Sequence, residues 1–130
     1  MLGEKIGEET GKITSQRVLP DFKLETSFRS SGTLLGLPVS GMGSYESVLR
    51  PDGTLVGEGQ GIAMSKDGGS ATWRGHGMGV RKPDGSASYR GSLIFTTTFS
   101  KWSRLNNCAV VFEYEVDAEG NTRSSEFEWR

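Results

Sequence analysis

"RPDGTLVGEGQGIAMSKDGGSATWRGHGMGVRKPDGS", residues 50–86, is the stretch that decides the fold. Three turn signals punctuate it: "RPDGT" (50–54), "KDGGS" (66–70) and "KPDGS" (82–86). Proline supplies a fixed φ, and the Asp-Gly that follows supplies the positive φ that a tight reversal needs. Between the turns run alternating segments of apolar, polar and glycine residues, which read as strands joined by hairpins. The turn centres near 52, 68 and 84 are 16 residues apart.

Outward from this stretch the same unit repeats. A fourth turn, "DAEGN" (117–121), joins two more segments. The expected strands are Glu4–Val18, Phe22–Leu34, Val39–Leu49, Thr54–Ser65, Ala71–Arg81, Ala87–Thr98, Cys108–Val116 and Thr122–Trp129. Pro20-Asp21 separates the first pair, and "GLP" (36–38) ends the second strand. One short helical turn is expected in "SKWSRLNN" (100–107), with Ser100 as cap and Trp102 and Leu105 presented on one side. Eight sequential antiparallel strands leave two long unpaired edges unless the sheet closes. The expectation is therefore an all-β chain forming one domain over 1–130, a closed eight-stranded antiparallel up-and-down barrel of calycin-like architecture. A Greek-key sandwich competes, but it needs crossing connections longer than most of these loops.

Composition narrows the function classes. The 15 basic and 16 acidic residues nearly cancel, so no electrostatic footprint argues for nucleic acid or an anionic membrane surface. No apolar run approaches the roughly 18 residues of a membrane span. The acidic, glycine-containing start "MLGEKIGEETGK" is unlike a secretory signal, so a cytoplasmic location is expected. With one cysteine and one histidine there is no internal disulfide and no zinc-type ligand set, and no metal or cofactor is expected. Cys108 reads as a buried small side chain, and "GEGQGI" (57–62) lacks the strand–loop–helix context of a phosphate loop.

The 19 glycines are the compositional outlier, about twice the roughly 7% average usage. Symmetric hairpins about the three turn centres put Ser44, Gln60, His76 and Ser92 in one row. On the other face, Gly43, Gly61, Gly75 and Leu93 share a row, and Tyr45, Gly59, Gly77 and Gly91 share the next. A glycine inside a strand costs roughly 0.5–1 kcal/mol relative to alanine, so such a patch requires strong coiling or a large group lying on bare backbone. The amphipathic strands suggest that the glycine–aromatic face points inward and the face with Glu46, Glu58, Arg74 and Arg90 outward. The charged face also carries Met42, Val56, Ile62 and Ile94, and a barrel with a partly polar lumen would swap the two. By the same alternation, Phe127 and Trp129 are expected inside, with Glu126 and Glu128 outside.

Two candidate sites follow. Tyr45, Trp73, Tyr89, Phe95, Phe112 and Phe127 are candidates to line a lumen holding one small apolar ligand, the alternative being a filled core. His76, Glu58, Arg74 and Arg90 form the best available acid–base constellation, of the kind an isomerase or cyclase would use, the alternative being an exposed cross-strand charge ladder. If the glycine face were external, its flat patch rimmed by Tyr and Trp would suit a subunit interface.

The run "GEGQGIAMSKDGGSATWRGHGMG", with "YRGSLIFTTTFSKWSRLNN" and "VFEYEVDAEGNT", resembles a group of small bacterial proteins classed by fold with the allene oxide cyclase-like β-barrels. The resemblance covers most of the chain from about residue 40, through strand, turn and glycine positions only. It implies a closed eight-stranded barrel, homo-oligomerisation and a lumen open to an apolar ligand. It carries over no catalytic residue, and a purely structural oligomeric module is equally consistent with it.

Overall fold

The structure, a computed structural model, describes residues 2–130. Its strands are β1 (Leu2–Leu19), β2 (Lys23–Leu34), β3 (Leu37–Leu49), β4 (Thr54–Ser65), β5 (Ser70–Arg81), β6 (Ala87–Thr97), β7 (Val110–Val116) and β8 (Asn121–Trp129). Each pairs antiparallel with its neighbour in sequence, and β8 returns to β1, closing an eight-stranded up-and-down barrel. Closure removes both sheet edges, as the strand count requires. Among the described residues no helix is long and apolar enough to cross a membrane.

Four hairpins use one device, a type I turn followed by a left-handed glycine. In the first, Arg50 N–H donates to Thr54 O at 2.8 Å and Gly53 N–H to Arg50 O at 3.0 Å, with Gly53 at φ 87°. Asp52 Oδ1 accepts from the Thr54 N–H at 3.0 Å, which fixes the turn locally. The same pattern recurs at Ser65–Gly69, Lys82–Ser86 and Asp117–Asn121.

The second of these corrects the expected register. The sequence places the β4–β5 turn over 66–70, but Ser65 N–H donates to Gly69 O and the positive φ belongs to Gly68. The turn therefore sits one residue earlier and the pairing shifts by two. His76 faces Glu58, not Gln60, and Gly61 faces Trp73, not Gly75. Because the side-chain period of a strand is two, this shift leaves every residue on its expected face. The two adjacent glycines serve different purposes: Gly68 supplies the positive φ, while a Cβ on Gly69 would run into the Phe99 ring.

Two further expectations change. Phe22 does not start β2, because Pro20–Phe22 forms a 3-10 turn in which Asp21 and Phe22 both take positive φ (66° and 60°). That breaks the alternation before Lys23 and leaves Phe22 91% exposed. The helical turn does form, as a 3-10 helix over Ser100–Asn107, but no side chain caps it. It closes one end of the barrel by burying Trp102 and Leu105 against Ile6, Leu34, Phe95 and Val110. The Trp102 Nε1–H donates to Leu34 O at 3.1 Å, and Asn106 replaces a missing strand partner by bonding both the N–H and the C=O of Thr97.

The glycine–aromatic face points inward. Trp73 lies over Gly61 and Gly43, and Phe112 over Gly77 and Gly91. At Gly57, Gly79 and Gly91 the neighbouring strand's carbonyl approaches so closely that a Cβ would collide with it. Strong coiling and aromatic overlay thus both account for the glycines.

Candidate functional site

The inner wall is built from alternating positions, so the register decides its composition. One rung of paired residues runs Ser47, Gly57, Gly77, Gly91, Phe112, Glu126 and Gly7 from β3 to β8 and on to β1. The glycines leave room, the aromatics take part of it, and a cavity of about 110 Å³ remains within the barrel. This is smaller than the apolar cavity of about 150 Å³ that accommodates benzene, so the space takes at most one small ring or a short chain.

Tyr45, Trp73, Tyr89, Phe95 and Phe112 all line this cavity. Phe28 and Tyr114 join them unforeseen. Phe28 stacks on Trp73 with ring centroids 6.4 Å apart and lies 5.8 Å from Tyr114. Tyr45, Tyr89 and Tyr114 form a mutually contacting trio at 5.7–5.8 Å. The Tyr45 and Tyr114 hydroxyls share a 3.3 Å hydrogen bond. Burial pushes the Tyr45 hydroxyl up to about 12 and raises Tyr89 and Tyr114 in the same direction, so all three are neutral donors near pH 7.

Phe127 does not line the lumen, and the reason is the last hairpin. The turn over 117–121 pairs Val110 with Glu128, Phe112 with Glu126 and Tyr114 with Ser124. With Phe112 and Tyr114 facing inward, Ser124 and Glu126 face inward with them, and Phe127 goes to the outer face opposite Val111. The apolar alternation of "EFEWR" points the other way and is overruled: Glu126 is 4% exposed and Trp129 is 60% exposed. Turn register was the signal in the sequence that could have shown this.

The lumen therefore holds two carboxyl groups. Glu9 on β1 sits in the ladder beside Ser124 of β8, and its Oε1 accepts from Ser30 Oγ at 2.8 Å. Glu126 lies one inward position away, with Oε2 buried and without a hydrogen-bond partner. Desolvation first, then the neighbouring Glu9 carboxylate, pushes Glu126 up to about 7, while Ser124 opposes the shift. Glu9 is raised too, by burial, against the Ser30 bond. Both outcomes follow from placing acids in a low-dielectric space, where Lys5 only partly opposes the shift of Glu126.

The acid–base candidates lie elsewhere. His76 and Glu58 are cross-strand partners on the outer wall, 3.8 Å apart between Nδ1 and Oε2, with side chains 78% and 68% exposed. Arg90 turns toward β7, 3.6 Å from Glu113 and 3.3 Å from Glu115. Arg74, also exposed, is opposite Gln60 and Ile94. These four side chains do not converge in a cleft. Cys108 is buried, and its thiol is pushed up by desolvation. Among the described residues no three His, Cys, Asp or Glu side chains are grouped as metal ligands.

The barrel superposes over nearly its whole length on solved structures. A protein of unknown function from Clostridium acetobutylicum ATCC 824 matches with TM-score 0.79 and 15% identity over 98% of each chain. A conserved protein of unknown function from Rhodopseudomonas palustris matches at 0.80 and 12%, over 99% of this chain and 98% of that one. A β-barrel-like protein from Acinetobacter baumannii AYE matches at 0.74 and 12%, over 100% and 96%. The chain shares their fold. At such identities the likeness reaches no further than the fold, and neither a family model nor a curated protein matches the sequence.

Proposed function

We propose that the protein is a small-molecule-binding barrel whose lumen takes one ligand of about ring size. The cavity of about 110 Å³ walled by glycine backbone and aromatic rings is the observation that carries this reading. Binding there needs no catalytic group and follows from apolar burial in a largely preformed site. The kinship with allene oxide cyclase-like barrels read from the sequence belongs to this proposal as well, and the closed up-and-down topology supports it. An isomerase or cyclase built on His76 is not favoured, because its side chains stand on the open outer wall. Toluene titrated into the protein and followed by amide NMR tests the reading. Shifts confined to lumen positions such as Gly59, Gly75 and Gly77 are expected; their absence at saturating toluene overturns it.

The outer face of β3–β6 favours a second element of the reading, homo-oligomerisation. Met42 beside Ile62, and Val48, Val56 and Met78 in one row, are exposed with Ile94 nearby. Between these rows Glu46 sits directly opposite Glu58, a like-charge pair that is unfavourable alone. Arg74 on the same face has Gln60 and Ile94, not a carboxylate, directly opposite it. A second copy of this chain would cover the apolar rows and bring Arg74 to the glutamates, which is why another copy is the proposed occupant.

A further inference from the structure

The unpartnered Glu126 says more about the ligand than the cavity size does. An acceptor 4% exposed and lacking a hydrogen bond is costly, and native structures rarely leave one without a purpose. Its Oε2 belongs to a residue lining the cavity, beside the Glu9 carboxyl. The rings of Phe28, Tyr45, Trp73 and Tyr114 line the same cavity as these acids. Among the described residues no Lys or Arg lines the cavity. Carboxyl acceptors and aromatic rings lining one cavity are the two features that complement an organic cation.

We propose that the lumen binds a small primary amine with an aromatic or short aliphatic body, its ammonium group donating to the carboxylates of Glu126 and Glu9. This rests on the lumen-binding reading above and deepens it. A carboxylate ligand would put a third acid beside two others, and a purely apolar one would leave Glu126 Oε2 unpaired. The groups around Glu126 fix the sign of the pH response. Ser124 is on its own strand, Glu9, Glu8 and Lys5 are on β1, and Phe112 on β7 brings no charge. Glu126 releases its proton near pH 7, and burial raises Glu9 from its ordinary value. Amine binding therefore strengthens from pH 6 to pH 8, where an alkylamine is still protonated.

The test is calorimetric titration of the whole chain with benzylamine, toluene and benzoate at pH 6 and pH 8. Benzylamine is expected to bind about tenfold or more tightly than toluene at pH 8, with a smaller margin at pH 6. In Glu126→Gln the preference should collapse toward unity while toluene binding stays, and Glu9→Gln should reduce it in part. Equal affinity for benzylamine and toluene in the unaltered protein overturns this proposal and leaves the lumen-binding reading standing. Tighter benzoate binding does the same. Binding of none of the three overturns both. The wild-type comparison needs no variant, so a misfolded substitution would not protect the idea.

Discussion

Trp73 stands directly opposite Gly61 on the β4–β5 ladder, and its indole occupies the space that a Cβ at Gly61 would need. The same ring covers Gly43 on β3, so one side chain spans three strands of the inner wall. Gly61→Ala is expected to destabilise the barrel by about 1–3 kcal/mol, the usual range for overpacking a filled site. Urea unfolding should show that Gly61→Ala costs markedly less in a Trp73→Leu background. Strict additivity of the two changes would mean the indole is not what excludes the Cβ.

Glu126 makes stability depend on pH in a definite direction. Its folded value, about 7, lies above the ordinary 4.5, so between those two values the folded chain binds more protons than the unfolded one. Stability contributed by the protonated acid is complete below about 4.5 and declines as pH rises to about 7, then levels off. The whole effect is on the order of 3 kcal/mol. Glu126→Gln should therefore raise the melting temperature at pH 8 by several degrees and change it little at pH 4. An unaltered melting temperature at pH 8 would show that this carboxyl is solvated in solution.

His76 and Glu58 should matter little for stability. Their 3.8 Å contact is between largely exposed groups, and pairs of this kind contribute between nothing and about 1 kcal/mol. His76→Ala and Glu58→Ala are each expected to change unfolding free energy by no more than about 0.5 kcal/mol and to leave toluene affinity alone. A large loss of binding in either variant would reinstate the outer wall as the working site.

Ile94 is 71% exposed at the apolar outer face. If copies of the chain meet there, light scattering of the unaltered protein should give a multiple of the 14.1 kDa chain mass. Ile94→Glu would add a third acid to a face already carrying Glu46 opposite Glu58 and should yield monomer with an unchanged circular dichroism spectrum. A monomeric wild type would remove the need for this surface.

Much of the barrel was legible in residues 50–86 because turn chemistry and strand alternation are local. Asp52-Gly53 and Asp84-Gly85 can reverse the chain in one way, and the strands between them follow. Closure followed from counting edges. The helical turn with Trp102 and Leu105 was visible from its composition, although what it covers was not. The site was less legible. Tyr45, Trp73, Tyr89, Phe95 and Phe112 share a face by strand alternation alone, and the one-residue misplacement of the turn at Ser65–Gly69, which moved the pairing by two, left that face unchanged.

Phe127 shows where alternation stops being sufficient. In β8 the apolar pattern and the turn register disagree about which side faces in, and only the β7 ladder resolves it. Hydrogen bonds to β7 fix Glu126 beside Phe112, so a carboxyl enters the lumen against its own hydropathy. The sequence by itself determined a run of antiparallel strands and which residues share a face with the glycines and aromatics, because those depend on nearest neighbours along the chain, and it left open which face lines the lumen. Tertiary structure alone decided that the lumen carries Glu9 and Glu126 and that His76 stands outside on an open wall. Which strands share a rung is a property of pairing, and pairing joins residues such as Gly7 and Glu126 that sequence keeps far apart.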